Sequence, residues 1–250
     1  MNDNVLTYGI SIYVEDSSKT YHTLDDWGMA LGNNNYIGDP EMETTYIQVP
    51  GRDGLIDVSE AIAGRRVYRK RALAFQLGGI RERLNWDGVI SSLRNNVHGR
   101  ICRLTIDNDD GYYWRGRVFI TDFDRFRDLG TFTLSVPNAD PYKYDATSST
   151  EPWLWDPFNF ETGVITQTGS ETIVGSGSIT IPKGHMLTCP DIVVSEKVSS
   201  SFYVEFDGVS YELTTGSNII PSIMIGGESE VTLNFTGSAT VQVSYRGGSL

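Results

Sequence analysis

The stretch from Tyr46 to Leu77 constrains this chain more than any other. It opens on Tyr46-Ile47-Gln48 and then carries a turn signal, Val49-Pro50-Gly51-Arg52-Asp53-Gly54. Pro50 fixes φ and donates no hydrogen bond, while Gly51 and Gly54 tolerate positive φ. Extended runs flank the turn, which predicts a long β-hairpin or arm. Five cations follow within seven residues: Arg65, Arg66, Arg69, Lys70 and Arg71. Leu73, Phe75 and Leu77 then alternate with Ala72, Ala74 and Gln76, the period of a half-buried strand. A charge-dense arm and strand leading into a core strand suit a contact between subunits better than an active site. Arg52, Asp53, Arg65, Arg66, Arg69 and Arg71 are the residues expected in such contacts.

The rest of the first half reads as strands around one long helix. Residues 5–14 have strand composition, and the segment Thr20 to Leu31 holds Asp25-Asp26-Trp27-Gly28. Trp is usually buried, and neighbouring carboxylates in an extended chain point to opposite faces, so Asp25 and Asp26 read as a solvated edge and not as a catalytic pair. Trp86, Val89, Ile90, Leu93 and Val97 fall on one helical stripe between a capping Asn85 and a terminating Gly99. His98, at the end of that helix, is expected to cap and not to bind a ligand. Strands are expected over 100–106 and 112–120, joined by the acidic turn Asp107 to Gly111. Counted as a calcium loop, that turn puts Gly111 at the fifth position and Val118 at the twelfth, and neither side chain can coordinate. A hairpin is the better reading. Asp122 to Asp128 alternates aromatics with charges, and a last strand runs from Gly130 to Val136.

After Pro141-Tyr142-Lys143-Tyr144 the polar run Asp145 to Glu151 has the composition of a boundary. The expected division is a first domain over 1–145, a linker over 146–151 and a second domain over 152–250. Beyond the boundary helix signals vanish. Short strands recur at 171–174, 178–181, 191–194, 201–206, 209–213, 230–235 and 239–245, with Asp207-Gly208 as a two-residue hairpin turn. That spacing predicts a β-sandwich. The fold class is therefore mainly β: an α+β first domain, a β-sandwich with one helix and a long hairpin arm, followed by a second sandwich.

Charge narrows the function classes. The net charge of −12 is divided as −4 over residues 1–147 (17 basic, 21 acidic) and −8 over 148–250 (3 basic, 11 acidic). Nucleic-acid affinity rests on a net basic face, so nucleic acid is not an expected partner. No apolar run is long enough to span a bilayer, and the N-terminus lacks the basic start and apolar core of a secretory signal, so synthesis in the cytoplasm and no membrane partner are expected. Cys102 and Cys189 are expected to be free. His22, His98 and His185 are scattered, and no nucleophile elbow, paired metal ligands or phosphate loop is present, which argues for no enzyme, no metal and no cofactor. Trp153, Trp155 and Phe158, with Phe160, could form a sugar-stacking platform or pack a domain junction; the junction is preferred.

Val49-Pro50-Gly51-Arg52-Asp53-Gly54 followed by Leu55-Ile56-Asp57-Val58-Ser59-Glu60-Ala61 resembles the signature of the distal tail proteins of long, flexible-tailed bacteriophages. Asp25-Asp26-Trp27-Gly28 lies upstream in the same order. Downstream come Arg71 to Phe75, the Trp86 helix, Asp107 to Tyr113 and Pro141-Tyr142-Lys143-Tyr144. The resemblance covers roughly the first 145 residues and is looser to the closing Tyr245 to Leu250. It implies a galectin-like second domain, a hexameric ring formed by first domains, and a place at the virion tail tip. The ring would join the tail tube and tape-measure proteins to a tip protein. A carbohydrate-binding module presenting the second domain to cell-wall glycans is the alternative. A polysaccharide hydrolase would need two carboxylates roughly 5–10 Å apart, a pairing that sequence cannot decide.

Overall fold

The computed structural model describes residues 8–79, 86–107, 109–126, 129–150 and 169–250. It is mainly β and divides into two compact units, Met1–Lys143 and Tyr144–Leu250. The first unit contains, in order, β1 (Ile10–Val14), β2 (Lys19–His22), α1 (Thr23–Trp27), β3 (Met29–Leu31) and β4 (Tyr36–Ile37). Next come β5 (Tyr46–Gln48), β6 (Leu55–Asp57), β7 (Arg71–Gly79) and α2 (Trp86–Asn96). They are followed by β8 (Ile101–Ile106), β9 (Tyr112–Arg117), β10 (Phe119–Phe126) and β11 (Leu129–Ala139). One sheet contains β2-β1-β8-β9 in that order; a second runs β10-β11-β7-β3, with β4 also on β7.

Alternation builds the core. Ile10, Ile12 and Val14 point inward from β1, and Leu73, Phe75 and Leu77 from β7. The helical stripe is also buried: Trp86, Ile90, Leu93 and Val97 join the same cluster, with Val89 partly covered. Gly99 takes φ +78 after that helix, as its terminating role requires, and its N–H donates to the Val118 carbonyl at 2.7 Å. Asn85, the expected cap, and residues 5–7 of the first expected strand lie outside the described residues.

Three expectations are corrected here. Asp25 and Asp26 are not on an extended edge but in α1, a single helical turn that follows β2 and ends at Gly28, φ +67. Its Asp26 carboxylate accepts the His22 N–H at 2.7 Å, and Trp27 is buried with its indole N–H donating to Ser92 Oγ on α2 at 3.1 Å. His98 does not cap its helix: Nδ1 accepts the Ile120 N–H at 3.0 Å, so the ring satisfies a strand amide where β10 begins. Residues 65–70 are not a strand, and β7 begins only at Arg71.

The second unit begins with residues that continue β12 (Lys143–Asp145) and has β13 (Glu171–Ile173), β14 (Ser176–Ile181), β15 (Asp191–Ser195) and β16 (Tyr203–Phe206). β17 (Val209–Glu212), β18 (Gly216–Ile219), β19 (Val231–Thr236), β20 (Ala239–Ser244) and β21 (Gly248–Ser249) complete it. Two four-stranded sheets, β13-β20-β15-β18 and β14-β19-β16-β17, close on one core that includes Phe202, Phe235, Ile192 and Val241. The β16–β17 turn is the expected one, with Asp207 and Gly208 at φ +50 and +75. β18 and β21 were not anticipated. Ser149 is fully buried: its hydroxyl donates to Val243 O at 3.2 Å and accepts the Tyr245 N–H at 2.8 Å. The polar run after Asp145 is thus hydrogen-bonded into this unit.

Candidate assembly surface

The chain leaves the first unit's second sheet after β4 and returns to it at β7. Between them the outgoing and returning backbones bond to each other as a stem. Gly38 N–H donates to Ala72 O at 2.8 Å, Glu41 N–H to Lys70 O at 2.7 Å, Arg69 N–H to Glu41 O at 2.9 Å and Glu43 N–H to Val67 O at 2.8 Å. Further out, β5 and β6 pair with Tyr46 opposite Asp57 and Gln48 opposite Leu55, and Val49–Gly54 turns between them. Gly51 and Gly54 take φ +81 and +80, conformations that side chains with a Cβ rarely adopt. The long hairpin arm read from the sequence is present.

Its charges sort into three groups. Arg52 and Asp53 are exposed at the turn, and Arg65 and Arg66 are exposed on the returning loop, where Arg65 Nη1 donates to Arg66 O at 3.2 Å. Arg69 instead pairs with Glu43 across the stem at 2.9 Å, and Lys70 lies 4.0 Å from Glu41. The Arg69 hydrogen bond and charge hold the Glu43 carboxyl below its ordinary range. Two Ser59 hydrogen bonds do the same for Asp57. Arg71, also among the residues expected in subunit contacts, is only 6% exposed, with its guanidinium 4.7 Å from the Trp114 ring centroid.

The sequence reading missed how apolar this arm is. Tyr46, Ile47 and Leu55 are about half exposed, and Ile62 is 91% exposed. Covering a fully exposed side chain of this size yields about 1.5–3 kcal/mol, and a half-exposed one about half of that. The signal was available, since Tyr46-Ile47-Gln48-Val49 and Leu55-Ile56 form a paired ribbon with no second layer of their own. Tyr46 and Leu55 share one face of that ribbon and Ile47 lies on the other; exposed apolar groups on an uncovered ribbon mark interaction surfaces.

Elsewhere the polar clusters are structural. Glu15 accepts two bonds from Arg115, at 2.8 and 2.9 Å, and one from Arg103 at 3.1 Å. The Arg115 bond, ahead of the opposing effect of burial, holds the Glu15 carboxyl below its ordinary range. Asp107 anchors the β8–β9 turn by accepting the Gly9 N–H at 2.6 Å and contacting His22 Nε2 at 2.9 Å. Cys102 and Cys189 are free. Among the described residues no cluster of His, Cys, Asp or Glu could hold a metal ion, and no helix is long and apolar enough to cross a membrane. Trp153, Trp155, Phe158 and Phe160, the aromatics considered for glycan or junction contacts, lie outside the described residues.

The sequence matches no protein-family model and no curated protein. Among solved structures it is similar to the crystal structure of the Dit protein (gp 19.1) of phage SPP1, described as a paradigm of the hub adsorption apparatus of phages infecting Gram-positive bacteria. Identity is 12%, the TM-score is 0.58, and the match covers 96% of this chain and 98% of that one. At that identity the likeness is one of fold, and it spans both units: this chain has a Dit-like fold.

Proposed function

We propose that this protein is a structural hub of a phage tail tip, without enzymatic activity. Six copies form a ring through their first units, with the arm as the element that engages the neighbouring copy. One ring face meets the tail tube and tape-measure proteins and the other meets the tip protein. The observation that carries this reading is the arm: a hydrogen-bonded stem presenting uncovered Tyr46, Ile47 and Leu55 on a ribbon whose turn carries the exposed Arg52 and Asp53. The likeness of the whole chain to a phage hub protein supports it. Exposed aromatic and aliphatic side chains with an Arg close by are what subunit contacts use.

Arg52→Ala combined with Asp53→Ala tests the arm. Neither side chain is covered within its own unit, so the melting temperature of the dilute protomer should change little, within about 0.5 kcal/mol of stability. Assembly should weaken far more, because truncating one partner of a buried intersubunit pair costs roughly 2–5 kcal/mol and a ring repeats the loss. Unchanged assembly would remove the turn from the interface.

A further inference from the structure

Arg71 opens β7 in the inward row that continues as Leu73, Phe75 and Leu77. Its guanidinium therefore sits at the rim of the first unit's core, at the base of the arm, and the residue is 6% exposed. The face of Trp114 covers one side at 4.7 Å but accepts no N–H in the plane of the fork. Nε is buried without a hydrogen-bond partner, and among the described residues no carboxylate comes within ion-pair distance. Asp39 acts on it only at longer range; burial is the larger influence and works against the charge. Arginine cannot escape this by losing its proton. Nε alone is buried without a partner, so the charge is partly taken out of water, and such a charge gains from a partner that pairs and hydrogen-bonds it.

We propose that Arg71 is a receptor for a carboxylate arriving from outside the first unit, supplied in the assembled protein by an acidic side chain of a neighbouring copy. The rigid fork of an arginine matches a carboxylate in two parallel hydrogen bonds. Each chain carries 32 acidic against 20 basic residues, so a second copy offers carboxylates in surplus. The same charge balance disfavours polyanions such as nucleic acid. The neighbouring copy as source rests on the assembly reading; the receptor itself does not.

The test uses the full chain, R71M and D39N, with sodium acetate as the probe against sodium chloride at equal ionic strength. Methionine keeps the stem and removes the unpaired charge, so dilute R71M should melt no lower than wild type. Acetate should raise the melting temperature of dilute wild type and D39N and leave R71M unmoved. Assembly of R71M should be weaker by more than about tenfold. An acetate response with unaltered R71M assembly would retain the receptor and assign it to a free carboxylate. If the wild type does not assemble at all, the hub reading fails while the acetate response still decides the receptor. A silent acetate titration overturns the proposal, as does a dilute R71M protomer that melts several degrees lower, since Arg71 would then be satisfied inside its own chain. Should R71M not fold, the Nε–H resonance of Arg71 in labelled wild type, assigned with R71K, must shift on acetate addition.

Discussion

Where the second unit starts is a question with a measurable answer, because residues 145–149 are polar and yet bonded to the closing strands. Asp145 N–H donates to Gly247 O at 3.1 Å and Ser149 N–H to Tyr245 O at 2.9 Å. The Ser149 hydroxyl adds bonds to Val243 O and from Tyr245 N–H, at 3.2 and 2.8 Å. Arg246 donates to the carbonyls of Asp145 and Ala146, both at 2.5 Å. A fragment of residues 152–250 loses all of these, whereas one of 144–250 keeps them. The freed groups on the closing strands would meet water and not be orphaned, so the loss is the net value of each bond, about 0.5–1.5 kcal/mol. For these six bonds the sum is roughly 3–9 kcal/mol. A single domain has about 5–15 kcal/mol in total, so the shorter fragment should be marginal. Urea unfolding followed by far-ultraviolet circular dichroism, run on both fragments, should place the shorter one's midpoint lower by at least about 2 M, taking a slope near 1–1.5 kcal/mol per molar. Within the longer fragment, Ser149→Ala should cost about 1–3 kcal/mol, because it leaves the buried Tyr245 N–H without an acceptor. Equal midpoints for the two fragments would refute the reasoning and restore 146–151 to a passive linker.

Three further outcomes follow from the first unit. Glu15→Gln should destabilise it at neutral pH by about 1–2 kcal/mol, discounted for the partial exposure of Arg115. The folded-state pKa of Glu15 is depressed, so its contribution is present above the ordinary glutamate pKa of about 4.3 and is lost as pH falls through the lower folded value. Melting curves of wild type and variant should therefore converge in acid. Gly130→Ala should cost about 1–3 kcal/mol and alter tryptophan fluorescence, because its Cβ would stand 2.8 Å from the Trp86 ring. Cys102, buried with its thiol pushed up to about 12, should not react with a soluble thiol reagent in the native protein at pH 8, while denaturant should expose it.

Much of the fold was legible because alternation and helical periodicity act over enough residues to be read. β7, α2, β15 and β20 each bury every second or every third-to-fourth residue as the sequence implies. The arm was legible because Pro50, Gly51 and Gly54 punctuate it. What escaped was short or non-apolar. α1 has five residues, too few to display a period, and its carboxylates resemble a loop. β18 reads Gly-Ser-Asn-Ile and is held by its neighbour: Asn218 N–H donates to the Asp191 carboxylate, and its side-chain amide donates to Ile192 O. Arg71 was illegible for a different reason. One cation at the end of a cationic run looks like the others, and only the strand register shows that it alone turns inward.

The central claim is that the arm makes this chain assemble. The most direct measurement is the mass distribution of the purified full-length protein at rising concentration, by sedimentation or native mass spectrometry, with R52A/D53A alongside. The account predicts a closed species of six copies or a multiple of six that grows with concentration and is lost in the double variant while its protomer melts normally. A protein that stays monomeric at every concentration, and still fails to assemble when mixed with tail-tube and tip proteins, would contradict it.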